Sequence, residues 1–127
     1  MLENLKDQIF QFYDRNIRRP IIRWALRTLQ HEIHSTALEK GWWDKLRNEG
    51  EIIALIHSEA TEALEAVRNN HPDSRKIPYQ EVEEELADIA IRLMDYAEHK
   101  QYRLPESILS KLDYNQSRSY RHGNKQL

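Results

Sequence analysis

The chain has 127 residues, a formal net charge of -2 and 31% charged side chains. That balance fits one compact domain with an ionic surface and excludes a uniformly basic nucleic-acid binder. With no cysteine, disulfides and thiolate metal ligands are excluded, and a reducing cytoplasm is the expected compartment. A mean hydropathy of -0.85, no apolar run of spanning length and no basic leader at Met1 to Asp7 predict a soluble protein without membrane partners.

Three glycines and four prolines punctuate the chain where helices should end. Between them apolar residues recur with a helical period and not in alternation, so the spacing predicts helices near 2–16, 20–40, 51–69, 79–100 and 105–117 and an all-α fold. Pro20 is expected to separate an N-terminal helix from the next. Gly41 and Gly50 bracket the connector Trp42 to Glu49, Pro72 and Pro78 bound a loop over 69–78, and Pro105 suits the first turn of the last helix. The expected organisation is an accessory helix over 1–19, a main helical domain over 20–117 and a basic tail over 118–127.

In the first helix, Leu2, Leu5, Ile9, Phe12 and Tyr13 form an apolar face, and Arg15, Arg18, Arg19, Arg23 and Arg27 crowd the segment after it. Such a basic stretch could steer an anionic substrate or dock on a phosphate-rich partner; an accessory helix packed on its own domain or on a sister chain is the plainer expectation.

Winding 51–69 at about 100° per residue gathers Ile52, Ile56, Ala60, Ala63, Leu64 and Val67 on one arc. Glu59 projects inside the border of that arc and Glu62 sits at its edge, while Glu65 falls on the polar side. The next helix is expected to bury Val82, Leu86, Ile89, Leu93 and Ala97, with Glu85, Asp88 and Arg92 along one flank.

Glu59 and Glu62, and likewise Glu85 and Asp88, are spaced i, i+3, so each pair leaves its helix on nearly one face. Packing the two helices together brings four carboxylates to one seam. Desolvation and mutual repulsion oppose that arrangement unless a cation joins it. When every donor is oxygen the usual cation is Mg²⁺, with Mn²⁺ as a substitute. No Glu is followed three residues later by His, which disfavours a di-iron bundle. His-Glu-x-x-His is also absent, since His31 and His34 flank Glu32 and Ile33.

Lys111 and Asn115 are i, i+4 on the last helix. A Lys suits a terminal phosphate as a point charge, and an Asn can bond a sugar hydroxyl or a phosphate. His34, Trp42 and Trp43 are candidates for a base pocket, because stacking on aromatics tolerates several bases.

The two acidic tetrads, Glu59-Ala-Thr-Glu62 and Glu85-Leu-Ala-Asp88, resemble the signature of the MazG-like branch of the all-α nucleoside triphosphate pyrophosphatases. Ala37-Leu-Glu-Lys-Gly-Trp-Trp43 is similar to the segment preceding the family's first metal helix. Lys111-Leu-Asp-Tyr-Asn115, followed by the basic run Arg118 to Lys125, is similar to its Lys-x-x-x-Asn. The likeness covers roughly 30–125.

The resemblance implies a helical bundle completed by a second chain, as a homodimer or a dimer of dimers. It also implies hydrolysis of a (d)NTP to (d)NMP and pyrophosphate, a house-cleaning activity on the nucleotide pool. In that reading Glu59, Glu62, Glu85 and Asp88 are catalytic Mg²⁺ ligands, and His34, Trp43, Lys111 and Asn115 bind the nucleotide. Trp43 is favoured over Trp42 because its distance ahead of Glu59 resembles that of a base-contacting aromatic in related enzymes. The competing expectations are a non-catalytic helical interaction module and a phosphohydrolase that releases orthophosphate.

Overall fold

The computed structural model describes residues 2–120, and all regular structure among them is helical. Arg121 to Lys125 of the expected basic tail lie outside the described residues. Helix α1 spans Leu2–Tyr13, a π-helical stretch spans Asp14–Arg18, and α2 spans Arg19–Glu39. They are followed by α3 over Glu49–Arg68, α4 over Glu81–His99 and α5 over Leu104–Ser117. No helix among the described residues is long and apolar enough to cross a membrane.

Two helices meet just ahead of Pro20 as expected, but across a π-helical stretch and not a break. The chain passes from α1 through the π-helical stretch into α2 without an intervening loop. The Arg19 amide donates to the Asp14 carbonyl, an i to i−5 bond, and Pro20 follows at once with no amide to place. The widened turn takes up the irregularity that a proline imposes on a helix interior. The Asn16 side chain donates to the Phe12 carbonyl at 2.8 Å in the same stretch.

Two compact units divide the chain, with boundaries inside α2 and just ahead of α5. The first comprises residues up to Leu29 and from Arg103 onward. Its ordering group is Arg19, whose guanidinium donates to Asp14 at 3.0 Å and to the Asp113 carboxylate at 2.5 and 3.1 Å. Arg18 pairs with Asp14 and Arg27 with Glu106, so three of the five clustered arginines meet carboxylates of their own unit. Pro105 and Leu109 are buried, whereas Ile9, Phe12, Ile21 and Trp24 remain exposed. The apolar face expected on the first helix is therefore present and turned outward.

The second unit, Gln30–Tyr102, holds the end of α2 with α3 and α4. Glu49 at the start of α3 accepts from Tyr96 at 2.6 Å and Lys100 at 2.7 Å near the end of α4, while Glu59 in mid-α3 meets Arg92. These pairings run the two helices antiparallel. The end of α2 lies against α4 in the same sense, with Gln30 donating to Glu98 at 2.6 Å and His34 bonded to Asp95 at 2.7 Å.

Gly41 ends α2 in the left-handed region, with φ at +76°. Its amide bonds Leu38 and the Trp42 amide bonds Ala37, a Schellman closure that turns both tryptophans back toward the helices. Asn70 closes α3 in the same way at φ 60°.

The buried seam of this unit is made of Ile52, Ala63, Ala66 and Ala97, together with Glu59, Glu84 and Glu85. The expected apolar arcs are only partly inward: Leu64 and Val67 of α3, and Leu86 and Leu93 of α4, are exposed. Small alanines let helix backbones approach closely. Once the carboxylates occupy the inner face, the bulky residues a fraction of a turn away are rotated outward.

Candidate metal centre

Glu59, Glu85 and Asp88 each offer a carboxylate oxygen, and the three oxygens lie within 4.8 Å of one another. Both glutamates are buried and Asp88 is half-buried. The antiparallel helices explain the gathering. Glu59 faces inward between Ile52 and Ala63 on α3, and Glu85 and Asp88, one turn apart, face it from α4. Glu62, the fourth expected ligand, is exposed and is not one of this trio, although its charge acts on Glu85.

The electrostatics are those of an anionic cluster only partly compensated by nearby cations. Burial, then hydrogen bonding with Glu59, then the charges of Glu62, Glu59 and Asp88 push the Glu85 carboxyl up to about 7. Burial and the Glu59 charge also raise Asp88, against the opposing pull of Lys76 and Arg92. The cation in direct contact is Arg92, whose Nε donates to Glu59 Oε1 at 2.5 Å.

A third buried carboxylate, Glu84, flanks the trio. Glu84 accepts from the Ser74 hydroxyl and pairs with Lys76 at 2.5 Å, and these partners hold its carboxyl below the usual range. The same Ser74 oxygen accepts from the amides of Lys76 and Ile77 at 3.0 and 3.2 Å, which folds the loop ahead of α4 back onto its first turn.

Asp88 and Arg92 also line a cavity of about 250 Å³, bordered by Ile33, Ala37, Lys40, Trp42, Arg47 and Asp95. It offers Lys40 just past α2 and Arg47 from the connector, the latter 3.9 Å from Glu51, together with an exposed indole and apolar walls, and Asp88 brings it to the carboxylates. A flat ligand bearing an anionic group suits such a lining.

Beside the cavity is a polar-aromatic cluster built on Asp95. Its carboxylate bonds His34 Nδ1 at 2.7 Å and accepts from Trp43 Nε1 at 3.0 and 3.2 Å. The Trp43 ring stacks on His99, with centroids 3.6 Å apart and planes 9° from parallel. His34 and Trp43, both expected to bind substrate, are thus brought together, with His99 stacked on the Trp43 ring and the Arg47 guanidinium 5.7 Å from its centroid. Trp42, by contrast, is exposed and lines the cavity.

Lys111 and Asn115 share a face of α5, as their spacing requires, and border a separate cavity of about 380 Å³ in the first unit. Lys111 Nζ lies 4.5 Å from the Tyr114 ring centroid.

Arg92 and Asp95 were not singled out by sequence as site residues. Their signal was present nonetheless: Glu85, Asp88, Arg92, Asp95 and His99 follow one another at steps of three or four and trace one line along α4.

Comparison with models of known protein families found no match, and neither did comparison with curated proteins or with solved structures.

Proposed function

We propose that this chain is a Mg²⁺-dependent nucleoside triphosphate pyrophosphohydrolase of the MazG-like kind, converting a (d)NTP to the (d)NMP and pyrophosphate. The observation that carries the reading is the buried trio Glu59, Glu85 and Asp88, reached from a cavity lined by Trp42, Lys40 and Arg47. The donor set fits a hard divalent ion: all three groups are carboxylates, and the single guanidinium on Glu59 leaves an excess of negative charge when they are ionised. When bound, Mg²⁺ supplies neutralisation of phosphate oxygens and a lowered pKa for an attacking water.

The chain's own groups divide the remaining work. Lys40 and Arg47 hold anionic oxygens at the cavity wall, and the Trp42 indole offers a face to a base without selecting strongly among bases. Asp88, on both the cavity and the trio, fixes where a phosphate chain meets the carboxylates. The many exposed apolar side chains, Trp24 and Phe12 in the first unit and Leu64 and Leu86 in the second, support a homo-oligomer that covers them.

The test is a panel of NTPs and dNTPs incubated with the protein and Mg²⁺, with monophosphate, pyrophosphate and orthophosphate quantified separately. Equimolar monophosphate and pyrophosphate are expected. Orthophosphate released in place of pyrophosphate would mark another phosphohydrolase, and no turnover of any nucleotide would leave the non-catalytic interaction module.

A further inference from the structure

Lys40 and Arg47 line the cavity, Arg47 with Glu51 3.9 Å away, and Lys76 is held on Glu84. Arg92 instead reaches inward to the most enclosed carboxylate, Glu59, whose side chain is only 6% exposed. Its own side chain remains 32% exposed and lines the cavity. The guanidinium therefore stands at a boundary, with an anion on its inner side and open space on its outer side.

We propose that Arg92 is a resident cation of the carboxylate cluster that competes with a divalent metal for Glu59, and that on metal binding it turns into the cavity beside Lys40 and Arg47. The inference rests on the metal-centre reading. A guanidinium and a divalent ion sharing one enclosed carboxylate repel each other where water screens poorly. One must leave, and Arg92 is the one with somewhere to go. Its stem is anchored on α4, one turn from Asp88, so rotation about its side-chain bonds is enough to move the head from seam to cavity. In the cavity it adds a third cation, so an anionic ligand that holds Arg92 there strengthens the metal, and the metal strengthens the ligand, by the same factor.

The measurement is Mn²⁺ affinity of the full chain, read from free Mn²⁺ by electron paramagnetic resonance, for wild type, Arg92→Gln, Arg92→Lys and Glu85→Gln. A charge-assisted hydrogen bond that must be broken before the metal enters weakens binding by about tenfold. Arg92→Gln is therefore expected to bind Mn²⁺ about tenfold more tightly than wild type, with Arg92→Lys between them and Glu85→Gln binding weakest. Equal or weaker Mn²⁺ binding by Arg92→Gln, with Glu85→Gln still impaired, overturns the competition and leaves the metal centre standing. Equal binding by wild type and Glu85→Gln overturns the metal centre itself, and the competition with it.

A second readout needs no folded variant. In ¹⁵N-labelled wild type the Arg92 Nε–H resonance should lose its hydrogen-bonded shift as Mg²⁺ is added, in step with the Glu59 and Glu85 backbone signals. A fixed Arg92 resonance while those signals move overturns the proposal.

Discussion

Glu59 and Glu85 face each other across the α3–α4 seam, both almost excluded from water. Burial first, and then hydrogen bonding with Glu59, lifts the Glu85 carboxyl from 4.5 to about 7. A buried acid in that state holds its proton toward neutral pH, and under the proposed metal centre it would give up that proton in exchange for the ion.

The metal-free protein should therefore lose stability as pH rises from about 5 to 8. With its folded pKa raised, Glu85 contributes stability that is fully present below 4.5 and lost as pH climbs through about 7. His99, held below its ordinary value by burial and then by the His34 charge, acts in the opposite sense over part of that window. The difference between wild type and Glu85→Gln in thermal melts isolates the Glu85 contribution. It should be largest near pH 8, and a pH-independent difference would remove the buried-acid account. Because metal competes with the proton, Mn²⁺ should raise the melting temperature more at pH 8 than at pH 6.

Glu85→Gln and Glu59→Gln should both abolish nucleotide turnover, by 10²-fold or more on the order expected when an electrostatic group essential to a transition state is removed. Their stabilities should diverge. By sequence, neutralising either carboxylate relieves repulsion and leaves the fold intact or slightly firmer. The Arg92 pair changes that expectation for Glu59, because Glu59→Gln leaves a half-buried guanidinium without its anion. Melting temperatures at pH 8 should rank Glu85→Gln above wild type and wild type above Glu59→Gln. Near wild-type turnover in either variant at saturating Mg²⁺ would remove the metal assignment.

Asp95→Ala should loosen the aromatic cluster. It strips the shared acceptor from Trp43 Nε1 and the partner from His34, at a cost of about 1 kcal/mol for half-buried groups left unpaired. Near-ultraviolet circular dichroism should lose intensity as the Trp43–His99 stack relaxes, and KM for the nucleotide should rise more than kcat falls. An unchanged aromatic signal would show that the stack holds without Asp95.

Gly41→Ala should destabilise the protein by about 1–2 kcal/mol. The residue sits at φ +76°, and an added Cβ would meet the Asp44 carboxylate at 2.8 Å. Since this turn aims Trp42 and Trp43, quenching of tryptophan emission by nucleotide should weaken along with the melting temperature. Full retention of both would mean the connector tolerates another closure.

The protein should form at least a homodimer at micromolar concentration, measured by sedimentation or light scattering. Ile9, Phe12, Ile21 and Trp24 lie along α1 and α2 and are exposed, more than a stable monomer commonly leaves in water. Trp24→Glu should shift the equilibrium toward monomer. A wild-type monomer near 15 kDa that still hydrolyses nucleotides would refute the oligomer.

By itself the sequence determined the all-helical class, the approximate helix ends at Gly41, Asn69 and Pro105, and the acidic residues worth watching. Those follow from local rules: helical periodicity, left-handed closures and i, i+3 spacing are properties of one segment at a time. Only tertiary structure decided which carboxylates meet. Glu59 joins Glu85 and Asp88 because α3 and α4 run antiparallel in a particular register, while Glu62, one turn along the same helix, is left in solvent. Arg92 finds Glu59, Asp95 finds Trp43, and Leu64 and Leu86 turn outward for the same reason. The rotation of a helix about its own axis is fixed by what it packs against across the whole fold, and no periodicity within one segment carries that information.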